Sequence, residues 1–271
     1  MDPVLILGLI VLSMTAGLIG SLFGLGGGII VVPVLTVLYD MSTVDAIAVS
    51  LAAIAAVSSA SASALVKKRV ANVRIGLRLE VAAAAGAVVG AAVALYVVQS
   101  WVLALCFAAV LIYSAAYMIL RPERPHESGA LDDFAYRDPK TGNEVRYGIR
   151  NTGTGMIGFA VAGITSALTG VGGGAVKVPI MNAHMGIPVK VATATGSYVV
   201  GITAFSGAAV YLLSGVLDVQ VAAIVILGAF TGSLIGLRVL PRIDAPAMRR
   251  YFSIVLIFLA SVMILNAGGI L

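Results

Sequence analysis

The sequence predicts an all-α polytopic membrane protein made of two inverted repeats, each a glycine-broken re-entrant helical hairpin followed by three transmembrane helices. Three observations lead to this fold class: the apolar composition, an internal repeat and the placement of the basic residues. Of the 271 residues, 60% are hydrophobic and 11% are charged, whereas a soluble domain has about 25% charged residues. The mean hydropathy of +1.08 therefore indicates a chain that lies mostly in a bilayer.

The internal repeat begins near the N-terminus and returns in the second half of the chain. Residues 16–35 read AGLIGSLFGLGGGIIVVPVL, and residues 162–181, which lie 146 positions later, read AGITSALTGVGGGAVKVPIM. Nine of the twenty positions are identical without a gap. Each copy is a hydrophobic segment that is interrupted by glycines and followed by a short apolar piece with a proline. Such a repeat sets the architecture before local structure is assigned.

The two glycine runs of this repeat predict the substrate-binding site. They are Gly26, Gly27 and Gly28 in the first copy and Gly172, Gly173 and Gly174 in the second. Each glycine costs a helix about 1 kcal/mol relative to alanine, so three in succession favour a break. A helix that begins after the break directs N–H groups and its positive dipole end there, which suits an anion. Tight helix packing is the alternative role, but paired interruptions in two halves are typical of a transporter site.

The hydrophobic blocks follow one another in the same order in both halves. They are 3–24, 27–39, 44–66, 79–98 and 101–120, and then 152–169, 173–185, 190–212, 218–240 and 251–270. Because a full crossing needs about 20 residues, the second block of each half is too short to cross alone. Irregular backbone at membrane depth must lie inside protein or beside a cavity. Each short block is therefore predicted to be the returning arm of a re-entrant hairpin.

Small polar residues on the third blocks are further candidates for substrate binding. Ser50 aligns with Ser197 if the repeat shifts by one residue, and Thr195 lies beside Ser197. Their hydroxyls either donate hydrogen bonds to an oxyanion or join helices to each other, which is worth about 0.6 kcal/mol on average in membranes. The fourth blocks carry glycine pairs at the spacing of close helix approach. These pairs are Gly86 with Gly90 and Gly228 with Gly232.

The basic residues predict the topology. They cluster after the third block, in the central loop and before the last block: Lys67, Lys68, Arg69, Arg74 and Arg78, then Arg121, Arg124, Arg137, Lys140, Arg146 and Arg150, then Arg242, Arg249 and Arg250. The positive-inside rule makes all three loops cytoplasmic, and only an inverted arrangement of the halves satisfies this. We therefore expect a first repeat over 1–120, a cytoplasmic connecting loop over 121–150 and a second repeat over 151–271, with both termini extracytoplasmic.

Lys177 is the candidate that breaks the symmetry of the repeat, because the first copy has Val31 at this position. An ionisable residue at membrane depth is a functional hypothesis by default, and its charge would favour an anion beside the helix N-termini. The alternative is that its side chain snorkels to the cytoplasmic face. Glu80 is expected near the end of its block, so no acidic residue is predicted in mid-membrane and proton coupling stays open.

Several function classes are disfavoured. With Cys106 as the single cysteine and two histidines, the chain lacks the residues of a thiolate or histidine metal cluster, and no cofactor is expected. Topology already explains the basic residues, so nucleic acid is not an expected partner. An intramembrane enzyme would need a nucleophile with its base, or paired aspartates, at depth. A transporter of a small anion is favoured, with an anion channel as the alternative, the lipid bilayer as surroundings and a homo-oligomer possible in principle.

The paired G-x-G-G-G…P segments, together with Asn72-Val73 and Asp218-Val219 at corresponding boundaries, resemble the sulfite exporter TauE/SafE family of membrane permeases. The resemblance extends over the whole chain. It implies a bacterial or archaeal inner-membrane transporter of sulfur-containing anions such as sulfite, sulfoacetate or related sulfonates. It does not fix which anion is carried or in which direction. Alternating access would rock one inverted half against the other around the glycine breaks.

Overall fold

The computed structural model describes residues 3–23, 26–67, 71–120, 134–137, 144–239 and 245–268. Within these ranges the chain is almost entirely helical. Several of the basic residues that predict the topology lie outside the described residues, as does one glycine just before the first run. These are Gly24, Lys68, Arg69, Arg121, Arg124, Lys140 and Arg242.

The helices follow the predicted blocks closely. The first half contains α1 (Pro3–Phe23), α2 (Gly28–Leu38), α3 (Thr43–Lys67), α4 (Val73–Tyr96) and α5 (Ser100–Leu120). The second contains α6 (Thr152–Thr169), α7 (Gly174–Pro179) with a π-helical continuation (Ile180–His184), α8 (Val189–Leu213), α9 (Val219–Val239) and α10 (Ala245–Ala267). Among the described residues, six helices are long and apolar enough to cross a membrane, namely α3, α4, α5, α6, α8 and α9. The predicted all-α polytopic membrane fold is confirmed.

Both broken segments return to the side from which they enter. In the first, the Tyr39 hydroxyl at the end of α2 donates a 2.9 Å hydrogen bond to the carbonyl of Leu5 at the start of α1. In the second, the backbone N–H of Arg150, just before α6, donates to the carbonyl of Met185 at 3.0 Å. With 11 residues, α2 rises only about 16 Å, roughly half of a hydrocarbon core of about 30 Å. The short block thus forms the returning arm of a hairpin.

The principal helix contacts join one half of the chain to the other. α1 packs against α9, and α6 packs against α4. α3 packs against α8, and α5 against α10. Each helix of the first half has a counterpart five helices later, so that α1 corresponds to α6 and α4 to α9. When every helix is replaced by its counterpart, the same four pairs result. The apolar core therefore lies between the halves, and neither half buries its apolar faces by itself.

Glycines at these contacts show how the two halves correspond. A side chain at Gly17 would collide with the carbonyl of Ala229, and one at Gly163 would collide with the carbonyl of Ala83. Gly17 and Gly163 are 146 positions apart, and so are their respective partners' counterparts, Ala83 and Ala229. In the same way, Gly86 lies against the carbonyl of Ala160 in α6, and Gly232, 146 positions later, lies against the carbonyl of Met14 in α1.

The contacts correct one detail of the predicted repeat. The spacing of 146 stays constant through the fourth helices, where Gly86 corresponds to Gly232. The helices α3 and α8 both begin and end 146 positions apart, which removes the predicted one-residue shift and pairs Ser50 with Gly196. The sequence comparison failed here because serines and glycines are frequent enough in these blocks to align in more than one register.

The central loop contains a β-hairpin that the sequence did not predict. β1 (Phe134–Arg137) pairs with β2 (Glu144–Tyr147) in antiparallel register. Tyr147 stacks on Phe134 with ring centroids 5.9 Å apart, and both Tyr136 and Tyr147 are buried in a cluster that includes Ile75 of α4 and Met185. The β-hairpin thus packs against both halves, at the start of α4 and just after the π-helical segment.

Candidate functional site

The two glycine breaks meet where α3 crosses α8. A side chain at Gly26 or at Gly172 would contact Ile54 of α3, and one at Gly172 would also contact Val200 of α8. Ile54 and Val200 are themselves 146 positions apart, so they occupy corresponding places on the two crossing helices. Gly28 lies directly against the carbonyl of Gly170. The breaks of both halves therefore share one region at the centre of the molecule.

The breaks have the same backbone geometry in both halves. Gly27 has φ 83° and Gly173 has φ 73°, a left-handed conformation that glycine adopts without steric cost. The carbonyl of Gly27 accepts hydrogen bonds from the N–H groups of Ile30 and Val31, and that of Gly173 accepts from Val176 and Lys177. New helices begin at Gly28 and Gly174. Their first N–H groups have no partner within the helix and point toward the break.

Ser50 is the predicted hydroxyl that lies at the breaks. Its side chain is buried and donates a 2.7 Å hydrogen bond to the carbonyl of Gly170. Its hydroxyl oxygen is also one of the three atoms nearest to a Cβ added at Gly28. Ser50 of the first half therefore contacts both breaks and holds the second one in place.

Thr195 and Ser197 lie on α8 and make contacts away from the breaks. The hydroxyl of Thr195 accepts a 2.9 Å hydrogen bond from the backbone N–H of Asn72, and its methyl group faces Gly76. The hydroxyl of Ser197 donates to the carbonyl of Thr193, one turn earlier, at 2.8 Å. The structure thus brings Ser50, but not these two hydroxyls, to the place where the glycine runs meet.

Lys177 is fully buried and does not snorkel to a membrane face. Its ammonium nitrogen lies 3.0 and 2.8 Å from the two carboxylate oxygens of Glu80 and 2.5 Å from the hydroxyl of Thr203. The same nitrogen is 5.6 Å from the ring centroid of Phe159, within the range of a cation–π interaction. Its positive charge is therefore paired with an acidic residue of the other half.

Glu80 is the functional candidate that sequence reasoning missed. It was expected near the end of a block that starts at residue 79, but α4 begins six residues earlier, at Val73. The side chain of Asn72 caps this start by accepting a hydrogen bond from the N–H of Ile75 at 3.2 Å. Glu80 is thus two turns inside the helix and 1% exposed. The useful signal was Asn72, because asparagine is a preferred N-cap residue.

Thr203 completes the surroundings of this carboxylate. Its backbone N–H donates to Oε1 of Glu80 at 2.9 Å, and its hydroxyl also donates to Oε1. The three buried residues join α4, α7 and α8. A buried ion pair repays its desolvation only when further hydrogen bonds satisfy the charged groups, and Thr203 supplies them here. The cluster is consequently neutral as a whole.

Ser166 leaves a free hydroxyl beside the second break. It is 1% exposed, and its oxygen has no hydrogen-bond partner among the described residues. A Cβ atom at Gly173 would lie 3.3 Å from Cβ of Ser166 and 3.4 Å from Cε of Lys177. An unpaired buried hydroxyl costs about 1–3 kcal/mol. Ser166 thus keeps an unpaired hydroxyl next to the second break and to the aliphatic part of the Lys177 side chain.

Comparisons with known proteins agree with this architecture. The family model described as Sulfite exporter TauE/SafE matches residues 9–263, so the chain belongs to this family. It is 28% identical over 262 residues to the probable membrane transporter protein YunE of Bacillus subtilis, covering 93% of this chain and 94% of that protein. It is 25% identical over 262 residues to the probable membrane transporter protein MJ0441 of Methanocaldococcus jannaschii, covering 92% and 91%. No solved structure matches the chain. The protein is a multi-pass membrane transporter and not an enzyme.

Proposed function

We propose that this transporter carries small sulfur-containing anions, such as sulfite, sulfoacetate or related organosulfonates, across the prokaryotic inner membrane by alternating access. The observation that carries the proposal is the meeting of the two glycine breaks on the α3–α8 crossing. The sulfur-containing substrate is supported by the family description, which names sulfite.

The anion binds between the breaks. Helix N-termini present N–H donors and a positive dipole end, and the breaks begin one helix at Gly28 and another at Gly174. Ser50 and Ser166 add hydroxyls next to these termini. An oxyanion of sulfur offers several acceptor oxygens, so it pairs with N–H and hydroxyl donors together. Gly28 is required because a side chain there would collide with the carbonyl of Gly170, so the two breaks could not approach each other this closely.

Alternating access uses the two hairpins as opposed gates. The first hairpin closes on itself through Tyr39 and Leu5, and the second closes through Arg150 and Met185. The exchange of helix partners between the halves supports two repeats, 1–120 and 151–271, joined by a cytoplasmic connector over 121–150. In the inverted arrangement these hairpins enter from opposite faces. Thr195 and Ser197 stay predictions for the pathway between the breaks and the face that holds Asn72.

The proposal is tested by counterflow in proteoliposomes. Purified protein preloaded with unlabelled sulfoacetate should take up labelled sulfoacetate, with saturation, and sulfite should compete. A conductive current without saturation would instead identify an anion channel. No flux of sulfite, sulfoacetate or any organosulfonate would contradict the proposed substrate class.

A matched pair of serine variants places the site. Ser50→Ala removes the hydroxyl between the breaks, and we expect about fivefold slower counterflow because a hydrogen bond is worth about 1 kcal/mol. Ser59→Ala on the same helix is the control, since Ser59 is exposed and donates only to the carbonyl of Ala55. Equal loss in both variants would remove Ser50 from the site.

A further inference from the structure

The buried ion pair of Glu80 and Lys177 joins the two halves at the point where the substrate is proposed to bind. Of the charged side chains that the structure describes, these two are buried, with 1% and 0% of Glu80 and Lys177 exposed. Their separation of 2.8 Å and the hydrogen bonds from Thr203 make a closed, neutral cluster. Packing alone does not require it, because the other half has the apolar residues Val31, Ile226 and Val57 at the three equivalent positions.

Neutrality restricts what can enter this cluster. An uncompensated charge at membrane depth is costly. A monovalent anion that binds the ammonium of Lys177 displaces the carboxylate of Glu80 and adds one negative charge. One proton on Glu80 restores the balance, because the lysine then pairs with the anion while the carboxyl group is neutral. Anion binding and proton binding therefore occur together.

Lys177 is placed to change partners. It lies in the first turn after the second break, and its Cε atom passes within 3.4 Å of the point where a Cβ of Gly173 would be. The unpartnered hydroxyl of Ser166 lies beside the same glycine. When the ammonium leaves Glu80, it has a position next to the break and a hydroxyl with which to share the anion.

We infer that the Glu80–Lys177 pair is the proton-binding site that couples transport of each monovalent anion to one proton. The inference rests on the proposed function. A carboxylate oxygen of Glu80 takes a proton from water on one face, and the N–H donors of Lys177 transfer from the carboxylate to the anion. On the other face the anion leaves, Glu80 releases the proton to water and the ion pair forms again. Both species move in the same direction, and no other reactant is consumed.

The surroundings single out Glu80 as the proton acceptor. α7 presents Lys177 to it, α8 presents Thr203, and α6 contributes the uncharged Phe159 beside the ammonium. On α4 itself, Arg74 and Arg78 are exposed. Among the side chains described around this site, no second carboxylate or histidine faces the pair.

The test measures protons and anions together. Proteoliposomes with an internal pH dye are given labelled methanesulfonate, an organosulfonate that stays monovalent in the working range. We expect wild type to move about one proton per anion, as charge balance requires. In Glu80→Gln, proton movement should fall to that of protein-free liposomes while anion counterflow remains measurable. Glu144→Gln is the matched control, because Glu144 is an exposed glutamate of the β-hairpin, and it should keep the proton movement of wild type.

Two results would overturn the inference. One is methanesulfonate transport by wild type without protons, which leaves the proposed transport function intact. The other is unchanged proton movement in Glu80→Gln. A complete lack of methanesulfonate flux would count against the proposed substrate class instead, and a second measurement then decides on the proton site. Infrared difference spectra of wild type between alkaline and acidic pH should contain a protonated carboxyl band that Glu80→Gln lacks. Identical spectra of the two proteins would refute the site.

A triple variant guards against misfolding. Glu80→Ile, Lys177→Val and Thr203→Val together install the residues that the other half has at the equivalent positions. This protein should elute as a single species and keep its unfolding temperature, yet move no protons with methanesulfonate. Proton-coupled flux in the triple variant would assign the cluster to packing alone.

Discussion

The two broken hairpins have the same backbone geometry at their glycine breaks, but only the second has charged side chains around it. In the second half, Lys177 meets Glu80 and Thr203. At positions 146 residues away the chain has Val31, Ile226 and Val57. These three apolar residues belong to the hydrophobic core or pack against it. The first hairpin lies there against α3 and α9. The same helix break therefore forms with a neutral apolar environment in one half and with an ion pair in the other.

The difference separates what the fold needs from what it does not. Glycines with left-handed φ occur at both breaks, so they are part of the common architecture. The charged cluster occurs once, so it is an addition to that architecture. A buried ion pair is weak support for stability, since well-packed apolar residues often replace it at no cost. The asymmetry is thus better explained by function than by folding.

The largest expected effect comes from breaking the pair on one side. Lys177→Met leaves the carboxylate of Glu80 buried without its counter-charge, which costs about 3–5 kcal/mol. We expect a large drop in the unfolding temperature in detergent. The triple variant that copies the first half should recover most of this loss. If Lys177→Met were as stable as wild type, then Glu80 would not depend on Lys177 as its counter-charge, and this energetic difference between the two halves would be absent.

Much of this comparison was accessible from the sequence. The paired glycine runs predicted both breaks, and each hydrophobic block predicted a helix that is found among the described residues, because breaks and apolar stretches are local features. The sequence also showed that Lys177 has no charged counterpart in the first copy of the repeat, because Val31 occupies the corresponding position. Each of these features depends on residues that are close together in the sequence.

What the sequence left out is the partner of the lysine. Glu80 lies 97 positions before Lys177, and the two meet only because α6 packs on α4 and carries α7 with it. No local pattern encodes this pairing. The positions of Thr195 beside Asn72 and of Ser50 beside Gly170 depend in the same way on how α8 packs on α4 and how α3 packs on α6. Long-range packing therefore decided the details of the candidate site.

A second way to break the comparison is to fill the shared region from the first half. In Gly28→Ala, the new methyl group would collide with the carbonyl of Gly170 and with Ser50 and Ile54. Overpacking of this kind costs about 1–3 kcal/mol, and because a carbonyl is among the obstacles, the hairpins must move apart. We expect a lower unfolding temperature and loss of sulfoacetate counterflow.

The control for this variant lies at the start of the other hairpin. Gly153 is in the first turn of α6 and has no atom within 4 Å of an added Cβ. Gly153→Ala should therefore be neutral or slightly stabilising, since alanine favours a helix. Full counterflow activity in Gly28→Ala would show that the close approach of the two breaks is not needed for transport.

The β-hairpin of the central loop adds a further asymmetry, because it packs against the start of α4 and the end of the second broken hairpin. Asn72 donates a 2.9 Å hydrogen bond to the hydroxyl of Tyr147. Burial raises the pKa of Tyr147, and the hydrogen bond from Asn72 partly opposes this. The folded protein therefore keeps Tyr147 neutral at pH values where the unfolded chain, with a tyrosine pKa of about 10, already ionises. This contribution to stability is complete below about pH 10 and is lost as the pH rises from there through the folded-state pKa.

Tyr147→Phe tests whether the β-hairpin is fastened in this way, and its effect should be the smallest of the three. At neutral pH we expect a loss of about 1 kcal/mol, because one hydrogen bond is removed and the amide of Asn72 loses its partner. The variant should also lose less stability than wild type between about pH 9 and about pH 11, since the group that ionises is gone. Thermal unfolding across this range measures both effects. Parallel pH curves for the two proteins would mean that the hydroxyl of Tyr147 does not fasten the β-hairpin to α4.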